Sequence, residues 1–274
     1  MAEHWSWKPA DASAPGLLYE PGNWGDLLKG LWVVAIVRQL LAVPNAADAA
    51  FVLVDPFAGA HDYPLTPGAR RRLGELGNAP GADRLRTATA DGRWPSAALL
   101  AADAAEAGGR AVRGRVFDAH AERAASFDGD PRFERIAARD GYAAAVAHAP
   151  PPNGLLLIDP YDFLGEWAEQ IDTILRAART TSVLLYLYNR SARGAKYLRA
   201  YRDFRNALER GRGEAPYCIG RTPADGFLPS AHHEIVFLPG PGVLDGPAGA
   251  RLCTALRTAA AATEAAAASP ATKS

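Results

Sequence analysis

Residues 154–163 read Gly154-Leu155-Leu156-Leu157-Ile158-Asp159-Pro160-Tyr161-Asp162-Phe163. The first five are apolar, with no alternation of polar and apolar positions. That is the pattern of a strand buried on both faces. The run stops at an acid and a proline, and proline has a fixed φ and no amide hydrogen with which to continue a ladder. Asp159 is therefore predicted to stand at the carboxyl end of a central strand. Open α/β sheets bind their ligands at that edge.

The same device recurs upstream. Ala50–Val54 reads as a second buried strand and runs into Asp55-Pro56-Phe57-Ala58-Gly59-Ala60-His61. Ala111–Phe117 ends in Asp118, and Phe133–Ala138 leads to Asp140-Gly141. Further strands are expected over Ser182–Tyr188 and Glu234–Leu238. Helical patterns lie over Leu27–Ala42, Ser96–Ala107, Ala119–Ala125, Tyr142–His148, Gly165–Arg179 and Ala192–Glu209. Alternating strands and helices predict an α/β fold with a doubly wound, mostly parallel sheet; an α+β arrangement is the alternative. Residues 62–92 are polar and broken by Gly and Pro, and read as an insertion or helical cap. One domain is expected over residues 1–255. Residues 256–274, rich in Ala, Thr and Glu without an evident apolar anchor, are expected to be a partly disordered tail.

In such a sheet Asp55, Asp118, Asp140 and Asp159 would share one edge. Each taken alone could merely cap the next helix or turn. As a set of four they suit a nucleoside ligand, whose ribose hydroxyls and adenine amino group are hydrogen-bond donors. Gly59, just after the first acid, would let the backbone approach such a ligand closely.

Composition narrows the field. The chain has 274 residues, 49% hydrophobic and 22% charged, with a formal net charge of zero. There is no general attraction to nucleic acid, so any such binding must come from local patches. Candidate patches are Arg70–Arg72 and the row Arg190, Arg193, Lys196, Arg199, Arg202 and Arg205. That three-residue spacing drifts about 60° per step around a helix, so the charges spiral. Tyr197, Tyr201 and Phe204 form one stripe and read as core packing. Cys218 and Cys253 fit a reduced protein, with no disulfide framework. Neither belongs to a zinc-binding pattern. His232-His233 resembles a metal pair, but neighbours on a strand point opposite ways. No apolar run approaches the roughly 18 residues of a membrane span, and no signal peptide opens the chain, so a soluble cytoplasmic protein is expected.

Motifs along the chain resemble those of the 23S ribosomal RNA adenine-N6 methyltransferases, a family of class I S-adenosyl-L-methionine-dependent enzymes. Gly22-Asn23-x-x-Asp26-x-Leu28-Lys29 resembles the family's G-N-x-x-D-x-L-K segment. Asp55-x-x-Ala58-Gly59-Ala60 resembles its cofactor loop. Pro95-Ser96 falls at a cofactor contact, Asp118-Ala119-His120 at an acid that holds ribose, and Asp140-Gly141-Tyr142 at a pair that reads the cofactor adenine. Asp159-Pro160 resembles the start of the catalytic D-P-P-Y. Gly30, Phe57, His61 and Tyr161 depart from the family pattern. The middle of the chain also resembles partner proteins of the three-cysteine-motif type, with Asn189 after the next strand.

The resemblance implies a Rossmann-like fold, S-adenosyl-L-methionine as cofactor, RNA as substrate, and a monomer without metal. Asp159 and the Pro160 carbonyl would accept the two hydrogens of an adenine amino group, with Tyr161 or Phe163 stacking on the flipped base. Lys29 would neutralise a cofactor carboxylate or a phosphate. Asp55, Gly59, Ser96, Asp118, Asp140 and Gly141 would complete the cofactor site. A catalytically degenerate binding or partner protein, or a methyltransferase acting on DNA or a small molecule, stays open.

Overall fold

A computed structural model describes residues 21–43, 50–160, 163–189, 195–213, 215–223 and 232–268. In chain order it begins with α1 (Trp24–Ala42), β1 (Phe51–Asp55), β2 (Asp62–Pro64), α2 (Pro67–Glu75), α3 (Ala82–Ala88), β3 (Arg93–Pro95) and α4 (Ala97–Ala107). Next come β4 (Val112–Val116), α5 (Ala121–Ala125), β5 (Phe133–Arg135), α6 (Gly141–Ala147), β6 (Leu155–Ile158) and α7 (Phe163–Ala177). The chain continues through β7 (Ser182–Asn189), α8 (Ala195–Arg212), β8 (Cys218–Pro223), β9 (His232–Leu238) and α9 (Gly246–Ala268).

Seven strands form one sheet in the order β5-β4-β1-β6-β7-β9-β8. The five from β5 to β7 are parallel, whereas β9 runs antiparallel to both β7 and β8. This is a mixed, Rossmann-like α/β fold. Chain order reverses between β1, which continues outward to β4, and its other neighbour β6. That reversal is the topological switch point at which a crevice opens beyond the carboxyl ends of the strands.

The continuous apolar runs are explained by burial on both faces. Along β6, Leu155 and Leu157 join the core layer with α1, α4 and α9, while Leu156 and Ile158 join the layer with α6, α7 and α8. Side chains that alternate across a strand must then be apolar at every position. α1 is apolar nearly all round and buried from Leu27 to Leu40 at almost every turn. Its start is set by Asn23, whose side chain accepts the Asp26 amide at 3.0 Å, a standard N-cap.

Two features differ from the sequence reading. Residues 256–268 are not a loose tail but the second half of α9, which packs on α1 and β8. Leu252, Leu256, Ala259, Thr263 and Ala266 form its buried face, and the Trp32 indole donates to the Leu256 carbonyl at 3.0 Å. Small alanines can bury a face without looking hydrophobic as a run. β8 was also unforeseen. It is a half-buried edge strand interrupted by Gly220, against which the Trp32 ring packs so closely that a Cβ would lie 2.5 Å from it. Residues 62–92 contribute β2, α2 and α3, and an antiparallel β2–β3 pair closes the excursion.

Candidate functional site

Asp159 follows directly on β6, beside the end of β1 at the switch point. Its Oδ2 accepts from the Lys29 ammonium at 2.6 Å, and the same ammonium lies 3.3 Å from Asp26. Lys29 also sits over the Tyr186 ring, 4.6 Å from its centroid. The Lys29 side chain is only 13% exposed, Asp26 2% and Asp159 27%. Burial pulls the lysine pKa down, but Asp159 and Asp26 outweigh it and hold the ammonium above its usual range. For Asp159 burial dominates and raises the carboxyl, while Lys29 opposes the rise. Asp26 is anchored in turn by the Gly22 amide at 3.0 Å.

Asp55, at the end of β1, is 3% exposed. Burial pushes its pKa up to about 7, opposed by the Phe57 amide and reinforced by Asp159. A buried carboxyl poised near neutrality beside a second carboxylate is a mark of functional sites. Asp118 lies two residues beyond β4. Its Oδ2 accepts the Gly59 amide at 3.0 Å, its Oδ1 the His120 amide at 2.8 Å, and Arg123 stands 3.8 Å away. Gly59 has φ +66°, and a Cβ there would strike the Tyr63 hydroxyl. Its need for glycine is thus met within the protein.

Asp140 caps α6 through the Ala143 amide at 2.8 Å and pairs with Arg139 at 2.7 Å; both lower its pKa, the cap most. It remains 42% exposed, beside an arginine that is 88% exposed and can swing aside. Gly141 packs against the 56–57 turn, where a Cβ would meet the Pro56 carbonyl at 2.5 Å. Ser96 is buried and caps α4, its Oγ accepting the Leu99 amide at 3.1 Å. The four acids therefore do lie along the carboxyl edge of parallel strands. Asp118 closes a turn and Asp140 caps α6 at that position, and each carboxylate keeps acceptor capacity beyond its present bonds.

Several candidates lie elsewhere. Pro160 is buried beside Asp159, whereas Tyr161 is outside the described residues. Phe163 is 2% exposed and edge-on to Phe204 at 5.0 Å, so its ring is core and not a base platform. Arg72 is buried and donates to the Gly22 carbonyl, which removes it from the expected surface patch; Arg70 and Arg71 are exposed. Arg190 and Arg193 are outside the described residues, as are the side chains of Lys196, Tyr197 and Asn189. Arg199 and Arg202 are exposed, whereas Arg205 lies 3.5 Å from the fully buried Glu234. Glu234 also accepts from the Tyr201 hydroxyl at 2.7 Å and from Arg221 at 2.5 Å.

His232 and His233 face opposite sides of β9. His232 approaches Tyr201 and Glu234, while His233 is buried against Tyr186. The Tyr186 hydroxyl and His233 Nδ1 are 2.5 Å apart. Burial takes the His233 pKa down to about 3, with Lys29 adding to the effect. This neutral His233–Tyr186 pair backs the Lys29 ammonium; Tyr186 did not stand out in the sequence, and His233 did so only as half of a metal-like pair. Their pairing across β7 and β9 is a tertiary fact. Asp26 was visible in its motif, but its partnership with Lys29 followed only from the helix. Among the described residues no group of three or more His, Cys, Asp or Glu could hold a metal ion, and no helix is long and apolar enough to cross a membrane.

The arrangement joins a carboxylate–ammonium centre to a series of acceptors along one crevice, a geometry suited to a ligand rich in N–H and O–H donors. Comparison with known proteins bears on the fold. The chain is similar to the crystal structure of protein LPL1258 from Legionella pneumophila str. Philadelphia 1, assigned to the DUF519 family. The two share 15% identity and a TM-score of 0.64, over 86% of this chain and 91% of that one. No family model matches the chain, and no curated protein does.

Proposed function

We propose that the protein is an S-adenosyl-L-methionine-dependent methyltransferase that modifies the exocyclic amino group of adenine in RNA, with ribosomal RNA as the substrate class. The observation that carries this reading is Asp159 at the switch point, ion-paired to Lys29 and next to the Asp55 strand end. The donor set also fits the cofactor: Asp118 and Asp140 offer carboxylate oxygens to ribose hydroxyls and an adenine amino group. The cofactor would supply an electrophilic methyl group.

The chain's own residues would do the rest. An adenine amino nitrogen is a poor nucleophile because its lone pair is delocalised into the ring. Asp159 and the Pro160 carbonyl would each accept one of its hydrogens, localising and aiming that pair. Their contribution is orientation and stabilisation of developing positive charge. Lys29 would keep Asp159 ionised at its partly buried position, and Asp26 and Tyr186 would hold Lys29 there. A neutral His233 suits this role, because a second buried cation beside Lys29 would weaken the pair.

A cofactor-binding protein without catalysis is the second reading. It is favoured by the Lys29–Asp159 contact itself, which already occupies one oxygen of the expected catalytic acid. The deciding experiment supplies methyl-labelled cofactor and RNA from cells lacking the protein. Label should enter adenine, and Asp159→Ala should abolish it while preserving the fold and cofactor binding. Absence of label from both RNA and DNA adenine would refute the catalytic reading.

A further inference from the structure

Cys218 opens the edge strand β8, and Cys253 lies in α9, which packs directly on that strand. Their sulfurs are 3.3 Å apart and both are free thiols of intermediate exposure. A disulfide requires about 2.05 Å between sulfurs, so closure needs an approach of roughly 1.3 Å. We propose that Cys218 and Cys253 form a reversible modification site, an intrachain disulfide made by exchange with a small disulfide oxidant such as oxidised glutathione, which pins α9 to the edge of the sheet.

The chemistry follows from the surroundings of the two thiols. Burial and the adjacent Cys253 push the Cys218 thiol up. In this exchange Cys253, on α9, attacks first. Its thiolate displaces one glutathione thiolate from oxidised glutathione, leaving glutathione bonded to Cys253 Sγ. Cys218 then gives up its proton, forms the bond to Cys253 Sγ, and expels the second glutathione as a thiolate. Two protein thiols are oxidised, one glutathione disulfide is reduced to two thiols, and no other reactant is needed. Arg257, one turn beyond Cys253, acts electrostatically on Cys218 in the direction that favours its thiolate in the second step.

The location gives the bond a mechanical consequence. Among the described residues β8 has a neighbour on one side only, and α9 covers it. A cross-link there closes a long loop through β9, which constrains the unfolded chain.

The test treats the purified full chain with oxidised glutathione and reads intact mass and tryptic peptides. The expected product is a monomer lighter by two hydrogens, with the Cys218 and Cys253 peptides joined. Its thermal midpoint should rise by roughly 5 °C or more, and dithiothreitol should reverse the shift. Cys218→Ser and Cys253→Ser, each conservative in size, should stay folded and show no loss of two hydrogens, with Cys253 retaining one glutathione in the first variant. Two glutathione adducts on the wild type, an intermolecular dimer, or unmodified thiols would each overturn the proposal.

Discussion

Replacing Lys29 by methionine keeps the apolar stem of the side chain while removing its charged end. The ammonium bridges Asp159 at 2.6 Å and Asp26 at 3.3 Å. Without it two carboxylates face each other, one almost wholly buried. Removing one partner of a buried ion pair costs about 3–5 kcal/mol. Asp159 is partly open to water and Asp26 retains the Gly22 amide, which places the expected loss near the lower end, about 3 kcal/mol. In the wild type the lysine pKa is raised, so its contribution is complete below the unfolded value of about 10.4 and declines only at more alkaline pH. Urea denaturation at pH 7 should show the loss. At pH 4 the deficit should shrink, because burial raises the Asp159 carboxyl and its protonated form needs no counter-ion. Lys29→Met combined with Asp159→Asn should recover part of the stability at pH 7. A cost below about 1 kcal/mol at pH 7, the scale of an exposed pair, would refute the picture of a buried centre.

Asp55→Asn should stabilise the protein above neutrality. The folded pKa of about 7 lies above the ordinary 3.8, so protonated Asp55 favours the fold and that advantage is lost as pH rises towards 7. The variant should gain roughly 2–4 kcal/mol at pH 8 and nothing at pH 4, measured by paired denaturant titrations. Gly59→Ala should lose about 1–3 kcal/mol, from positive φ and the collision with Tyr63, and a variant as stable as wild type would contradict the turn geometry. Truncation after residue 255 removes Leu256, Ala259, Thr263 and Ala266 from the α1 interface. It should lower the thermal midpoint steeply by circular dichroism; an unchanged midpoint would mean that the second half of α9 is dispensable.

Much of the fold was legible because its central strands are doubly buried. β1, β6 and β7 leave no room for polar alternation, so each shows as an apolar run. Asp55 at the end of β1 and Asp159 just after β6 marked the crevice edge for the same reason. The periphery was less legible. β8 carries Gly220 and Arg221 and buries only part of one face, and α9 hides its anchors among alanines. In the site, Asp159 and Lys29 were visible from sequence, but the contact between them spans 130 positions and required the fold. Tyr186 looks like an ordinary strand residue and His233 like half of a metal pair until antiparallel pairing sets β7 beside β9. Phe163 misled because it follows the catalytic-looking motif closely. The start of α7 instead turns its ring inward onto Phe204.

The central claim is that the crevice at the β1–β6 switch point binds S-adenosyl-L-methionine. Isothermal calorimetry with the purified chain tests it without reference to any methyl acceptor. Saturable one-to-one binding is predicted, weakened at least tenfold by Asp140→Asn, which keeps an acceptor for the Ala143 amide but adds an amide that disfavours the adenine amino group. No heat of binding to the folded wild-type protein, or undiminished affinity in the Asp140 variant, would contradict the account.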